Sequence, residues 1–130
     1  MIVVDTNVIA YLWLPGERTA AAERLFKKDA DWNAPLLWRS EFRNVLAGCL
    51  RRGDVSLETA LKIADGAEAQ LQGREFSVPS DQVLARVAES DCSAYDCEFI
   101  VLAEDLGVPL VTSDDKLLRS FPSVARSLGK

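Results

Sequence analysis

Four acids of this chain stand where a carboxylate can do more than solvate a surface. Asp5 ends the apolar run Ile2-Val3-Val4, and Asp114 follows the run Leu110-Val111-Thr112 after the intervening Ser113. Glu41 lies early in an amphipathic stretch, and Asp96 stands three residues after Ser93 at the start of another. The chain has no histidine, and its three cysteines, Cys49, Cys92 and Cys97, form no C-x-x-C pair. Zinc sites of cysteine and histidine, catalytic triads and histidine general bases are therefore argued against. Chemistry falls to carboxylates, hydroxyls and basic side chains. Two carboxylates about 4 Å apart repel by about 4 kcal/mol at an effective dielectric of about 20, so four of them gathered together demand a cation. An all-oxygen donor set favours Mg²⁺ or Mn²⁺.

The elements that must position these acids follow from apolar spacing. Ile2 to Val4 reads as a strand buried on both faces, which points to a parallel sheet covered by helices. Asn7 to Leu14 is a short helix stopped by Pro15-Gly16, and Glu17 to Lys28 resumes with Ala21, Ala22, Leu25 and Phe26 on one face. A brief extended segment at 31–34 precedes the clearest helix, Pro35 to Arg52. Its core face is Phe42, Val45, Leu46, Cys49 and Leu50, and Gly53 is its stop. Ser56 caps a helix ending at Gly73, with Leu57, Leu61, Ala64 and Leu71 inward. A strand at Glu75 to Val78 leads to a helix from Ser80 to about Glu89, with Val83, Leu84, Val87 and Ala88 inward. Ser93 caps a helix apolar nearly all round through Leu106, and Gly107 ends it. A strand at Leu110 to Thr112, a short helix at Asp115 to Ser120 and an edge strand at Val124 to Ser127 complete the chain.

Direction then matters. In a parallel α/β sheet each strand runs towards one edge, and the following helix starts there and runs back. Asp5 and Asp114 end two strands, while Glu41 and Asp96 open two helices, so all four are expected at one edge of the sheet. Each acid also has a plainer reading. Asp5 reads as a helix cap, Asp96 as the acid of a capping box with Ser93, and Glu41 as a solvated residue or a partner of Arg39 or Arg43. One of Asp114 and Asp115 is expected to cap the next helix, and which one stays open.

The 130 residues carry 15 basic and 20 acidic side chains, a net charge of −5, with 48% hydrophobic residues and a mean hydropathy of +0.02. These values describe one domain, 1–130, with a genuine core. A basic face, the usual mark of a nucleic-acid binder, is missing from the totals. Setting four clustered acids against a cation leaves sixteen acids and fifteen bases, so the net charge does not exclude a nucleic-acid substrate. No apolar run approaches the roughly 18 residues that span a bilayer, and the N-terminus lacks a basic region before its apolar run. No membrane association and a cytoplasmic location are expected.

Four motifs in order, VVDTNV at the start, E-x-x-N-V-L at 41–46, AYDCEFIVLAEDLGVPLVT at 94–112 and TSDDKL at 112–117, resemble PIN domains, and most closely the short VapC-like toxin ribonucleases of bacteria and archaea. The resemblance covers essentially the whole chain. It implies a three-layer α/β sandwich with a short, mainly parallel central sheet flanked by helices. It makes Asp5, Glu41, Asp96 and Asp114 the metal-binding and catalytic quartet, with Asp114 rather than Asp115 matching the family's T-x-D pattern. Thr6, Asn7, Asn44 and Thr112 correspond to supporting polar residues. It further implies Mg²⁺- or Mn²⁺-dependent endoribonuclease activity, a homodimer, and a cognate antitoxin partner. Arg39 and Arg43, with Arg51 and Arg52, are candidate RNA contacts. The alternatives are a PIN-type nuclease in RNA maturation or acting on DNA without a toxin role, and a catalytically silent binding module. A nucleotide-binding domain is disfavoured because no glycine-rich loop follows the first strand.

Overall fold

The computed structural model describes residues 1–129. Among them are five strands, β1 (Ile2–Val4), β2 (Trp32–Pro35), β3 (Glu75–Phe76), β4 (Leu110–Thr112) and β5 (Ala125–Ser127). Seven helices alternate with the strands: α1 (Thr6–Trp13), α2 (Thr19–Lys28), α3 (Trp38–Arg52), α4 (Leu57–Gln70), α5 (Ser80–Ala88), α6 (Ala94–Leu106) and α7 (Asp115–Ser120). The strands form one sheet in the order β3-β2-β1-β4-β5, and every pairing is parallel. β1 sits at the centre, with Val3 opposite Asn33 of β2 on one side and opposite Leu110 of β4 on the other.

The order records a reversal. From β1 the chain steps outward through β2 to β3, then returns across the sheet to β4 and β5. Right-handed crossovers put the helices of the two halves on opposite faces. Accordingly α1 packs on α2, α3 and α4, whereas α6 packs on α5 and covers β1, β2 and β4. The core is the buried central strands with Val8, Ile9, Trp38, Phe42 and Leu46 on one side and Phe99 to Ala103 on the other. α6 is buried because its apolar residues run nearly all round it.

Several local expectations shift. The helix expected from Pro35 begins at Trp38, because Pro35 closes β2 opposite Phe76 and the Leu36 N–H continues the ladder to the Phe76 carbonyl (2.9 Å). The helix expected from Glu17 begins at Thr19, whose hydroxyl accepts from the Gly16 N–H (3.0 Å) and donates to the Tyr11 carbonyl (2.8 Å), holding the intervening turn apart. Leu57, Leu61, Leu84 and Ala88 point outward rather than inward, and Leu50 and Phe26 are exposed at the margin of the core. On α4 the expected Ala64 and Leu71 do face inward, and with Ala60, Ile63 and Ala67 they make the stripe against the core, rotated away from Leu57 and Leu61. Choosing large apolar residues fails at Leu57 and Leu61, because α4 lies close against α1.

That closeness is set at Gly66. A Cβ there would stand 2.6 Å from Cζ3 and Cη2 of Trp13, whose indole N–H is anchored on Gln70 Oε1 (2.6 Å). Gly66→Ala is therefore expected to lower stability by about 1–2 kcal/mol in urea unfolding, overpacking outweighing alanine's better helix propensity. A gain in stability would mean that Trp13 moves freely.

Candidate active site

β1 and β4 are neighbours across the point where strand order reverses, and in open α/β sheets the crevice at the carboxyl ends of such strands is where ligands bind. A cleft of about 250 Å³ opens there, lined by Asp5, Thr6, Asn7, Glu41, Asn44, Val45, Asp96, Phe99 and Asp114. Four separate segments thus bring the four sequence-selected acids to one place. Asn7 and Asn44 reach the same cleft.

Asp5 is only 7% exposed and is held from two sides. As N-cap of α1 it accepts the Val8 N–H on Oδ1 (3.1 Å), and its Oδ2 accepts the hydroxyl proton of Thr112 at the end of β4. The capping role read from sequence and a place in the cleft are therefore not alternatives. Thr112 lies fully buried behind Asp5, and its Oγ1 also accepts the Asp114 N–H (3.0 Å), so one hydroxyl joins two of the acids. Asp114 caps α7 through the Lys116 N–H (2.8 Å), whereas Asp115 is the first helical residue, exposed and outside the cleft lining. Glu41, in the first turn of α3, accepts the Thr6 hydroxyl (2.7 Å). Asp96, in the first turn of α6, is fixed by the Ser93 box, its N–H donating to Ser93 Oγ (3.1 Å).

The electrostatics follow from this crowding. Burial pushes the Asp5 carboxyl up to about 6; the Thr112 and Val8 hydrogen bonds oppose the rise, and the charges of Asp114 and Glu41 add to it. Burial also raises Glu41, which Asp96 repels, while the Thr6 hydroxyl holds it down. Asp96 is raised by burial and by Asp114, with Ser93 and then Lys116 pulling the other way. The repulsions therefore close a ring, Asp5 to Asp114 to Asp96 to Glu41 and back. Among the described residues no lysine or arginine lines the cleft.

A divalent cation fits these residues by donor chemistry. They present carboxylate, amide and hydroxyl oxygens, and two of the acids are oriented by hydroxyl donors, as metal-binding carboxylates commonly are. Among the described residues no group of three acids or thiols converges to enclose an ion. The arrangement is an open ring, suited to an ion that keeps several waters and takes only one or two carboxylates directly, the habit of Mg²⁺.

Arg39 and Arg43 are absent from the cleft lining. The Arg39 guanidinium is bidentate on Glu75, with Nε–Oε2 at 2.6 Å and Nη2–Oε1 at 2.8 Å, and its Nη1 reaches Glu68 Oε1 (2.9 Å). Glu75 also accepts the Trp38 indole N–H (2.7 Å), so this network ties α3 to β3 and α4. Arg43 is exposed. Sequence reasoning passed over the apolar walls Val45 and Phe99, although each lies one helical turn after an acid, four residues beyond Glu41 and three beyond Asp96. It also passed over Lys116, the cation that acts on Asp96. Glu98 is partly buried and feels Glu41.

A parallel α/β fold with an acid-lined, cation-free cleft at its switch point defines a class of oxygen-donor sites. Comparison with known proteins narrows it. A model of the PIN domain family matches residues 2–122, and the chain belongs to that family. It is 27% identical over 126 residues to Ribonuclease VapC3 of Pyrobaculum aerophilum, covering 95% of this chain and 96% of the relative. Among solved structures, PAE2754 of Pyrobaculum aerophilum superposes with a TM-score of 0.77 at 23% identity, over 98% of this chain and 90% of that one. VapC20 of Mycobacterium tuberculosis, described as a Sarcin-Ricin loop cleaving toxin, gives 0.62 at 20% identity, over 87% and 88%. These likenesses extend over nearly the whole chain and share its α/β fold.

Proposed function

We propose that this protein is an Mg²⁺- or Mn²⁺-dependent endoribonuclease and the toxin of a toxin–antitoxin pair. The observation that carries the reading is the ring of four carboxylates around one cleft without a cation in its lining. The name of the VapC3 relative and the description of VapC20 support RNA as the substrate. Asp5 and Asp96 serve as the central ligands, with Glu41 and Asp114 completing the site. A bound divalent ion lowers the pKa of a water and screens the charge of the phosphodiester. Thr112 and Thr6 hold Asp5 and Glu41 in orientation by donating to them. Asn7 and Asn44 offer amide donors to a phosphate or water in the cleft, while Val45 and Phe99 limit bulk solvent on one side. The buried acids, which repel one another, disfavour their charged forms until a cation arrives. Substrate phosphate and ion are therefore expected to bind together. Arg43, exposed one residue before Asn44, supplies a phosphate contact, and Arg39 supports α3 through Glu75.

The test is cleavage of structured RNA with Mg²⁺ or Mn²⁺, with a DNA substrate in parallel. RNA cleavage lost on chelation and in Asp96→Asn is expected. Activity that survives both overturns the metal reading, and cleavage of DNA alone overturns the ribonuclease reading. The toxin role predicts growth arrest on expression in a bacterial host, relieved in Asp96→Asn and by a small protein encoded beside the gene. A homodimer belongs to the same reading, and light scattering coupled to size exclusion measures it. Among the described residues no helix is long and apolar enough to cross a membrane.

A further inference from the structure

The segment Thr112-Ser113-Asp114 leaves β4 and carries one acid of the cleft together with the hydroxyl that orients another. Its side chains alternate, as in any extended segment. Thr112 reaches Asp5, and Asp114 turns to cap α7. Ser113, between them, is held by a residue outside the cleft lining: the Tyr11 hydroxyl lies 3.0 Å from Ser113 Oγ. Tyr11 is itself fixed in the second turn of α1, the helix that Asp5 caps. Its ring lies under the Arg18 guanidinium, 5.3 Å from centroid to Cζ, and its carbonyl accepts the Thr19 hydroxyl (2.8 Å).

Two hydrogen bonds therefore join α1 to the segment after β4, one at the helix cap through Asp5–Thr112 and one further along through Tyr11–Ser113. Thr112 is also held in the sheet, its carbonyl accepting the Leu128 N–H (3.0 Å), and Asp114 is held by its cap on α7. The Tyr11 bond holds Ser113, the residue between these two anchors, and so bears on where Asp114 stands relative to Asp5. Metal sites are sensitive to such outer contacts, whose loss typically weakens affinity by one to two powers of ten when they touch a ligand directly. Tyr11 acts one residue removed, so a smaller effect is expected.

We infer that Tyr11 is a positioning residue for the acidic cleft, acting through Ser113 to set the spacing of Asp114 from Asp5 and hence the affinity for a divalent ion. This rests on the metal-dependent reading above. Tyr11→Phe keeps the ring against Arg18 and deletes only the hydroxyl.

The experiment is Mn²⁺ titration of the purified, chelator-treated protein, followed by calorimetry and by thermal shift, without substrate. Tyr11→Phe and Ser113→Ala are each expected to raise the Mn²⁺ dissociation constant about threefold to tenfold, the range a lost hydrogen bond supports. The double variant is expected to be no worse than either single, because both remove one interaction. Ser113→Thr, which keeps a hydroxyl, should retain near wild-type affinity. A purely structural bond would instead lower the melting temperature of the ion-free protein and leave the Mn²⁺ constant unchanged, which overturns the inference. Additive losses in the double variant overturn it as well, since the residues then act separately. If the wild-type protein takes up no Mn²⁺, or takes it up equally after Asp5→Asn, the metal-site reading itself fails and the inference falls with it.

Discussion

Asp5→Asn is expected to reduce divalent-ion-dependent RNA cleavage by about a hundredfold or more and, at the same time, to raise the melting temperature of the ion-free protein at neutral pH. The two effects share one cause. The folded protein holds Asp5 almost completely away from water, and its carboxyl is pushed from 3.8 up to about 6. At about 1.4 kcal/mol per unit, ionised Asp5 costs the native state up to about 3 kcal/mol at pH 7. Because the folded state keeps this proton at a higher pH than the unfolded state does, Asp5's contribution to stability is fully present below pH 4 and is lost as pH rises through about 6. Glu41 and Asp96, also raised mainly by burial, tilt the profile in the same direction.

Asparagine keeps the cap, since its oxygen can still accept the Val8 N–H, but it deprives the Thr112 hydroxyl of a charged acceptor. The net gain is therefore expected at about 1–2 kcal/mol, a few degrees in melting temperature. Melts in chelator should show the variant above wild type at pH 7 and level with it near pH 4. Adding Mn²⁺ should reverse the order, because only the wild type gains from the ion. A fall at pH 7 as large as that of a core cavity would show that Asp5 serves the fold as a cap and little else.

Thr112→Val is expected to act oppositely on stability and in the same direction on activity. Valine matches threonine in shape but removes the hydroxyl that donates to Asp5 and accepts from the Asp114 N–H. That leaves a buried carboxylate short of a donor and a backbone N–H without its acceptor, a loss of about 2–3 kcal/mol at pH 7. Loss of that donor also raises the Asp5 carboxyl further. The destabilisation is therefore expected to shrink as pH falls towards 4, where Asp5 is neutral in either protein. Urea unfolding at the two pH values measures this directly. Equal losses at both would mean that the hydroxyl serves packing rather than the charge of Asp5. Cleavage should fall with it, and the drop in activity is expected to be partly recovered at high Mn²⁺ because all four carboxylates are still present.

Much of the candidate site was legible because its determinants are local. A carboxylate at the end of a buried strand, or in the first turn of a helix, is identified by its immediate neighbours. The caps at Ser56 and Ser93 and the left-handed glycine stops at Gly53 and Gly107 stand where short-range patterns put them. The inner face of α4 was legible only at Ala64 and Leu71. Its hydrophobic spacing admits two rotations, and the contact of Gly66 with Trp13, 53 positions away, favours the small-residue face over Leu57 and Leu61. The fate of Arg39 was no more readable, because charge alone does not distinguish a phosphate from Glu75.

The sequence by itself determined which donors the candidate site can offer. With no histidine and no paired cysteines, the donors it can offer are oxygens, and the alternation of strands and helices turns each of the four acids towards the carboxyl edge. Only the tertiary structure decided that β1 and β4 are neighbours, that Thr112 joins Asp5 to Asp114, and that Tyr11 holds the residue between them. Periodicity and capping are interactions within a few residues, so they can be read along the chain. Strand order and hydrogen bonds spanning more than a hundred positions are settled by which apolar faces the whole chain can bury together, and no local pattern carries that competition.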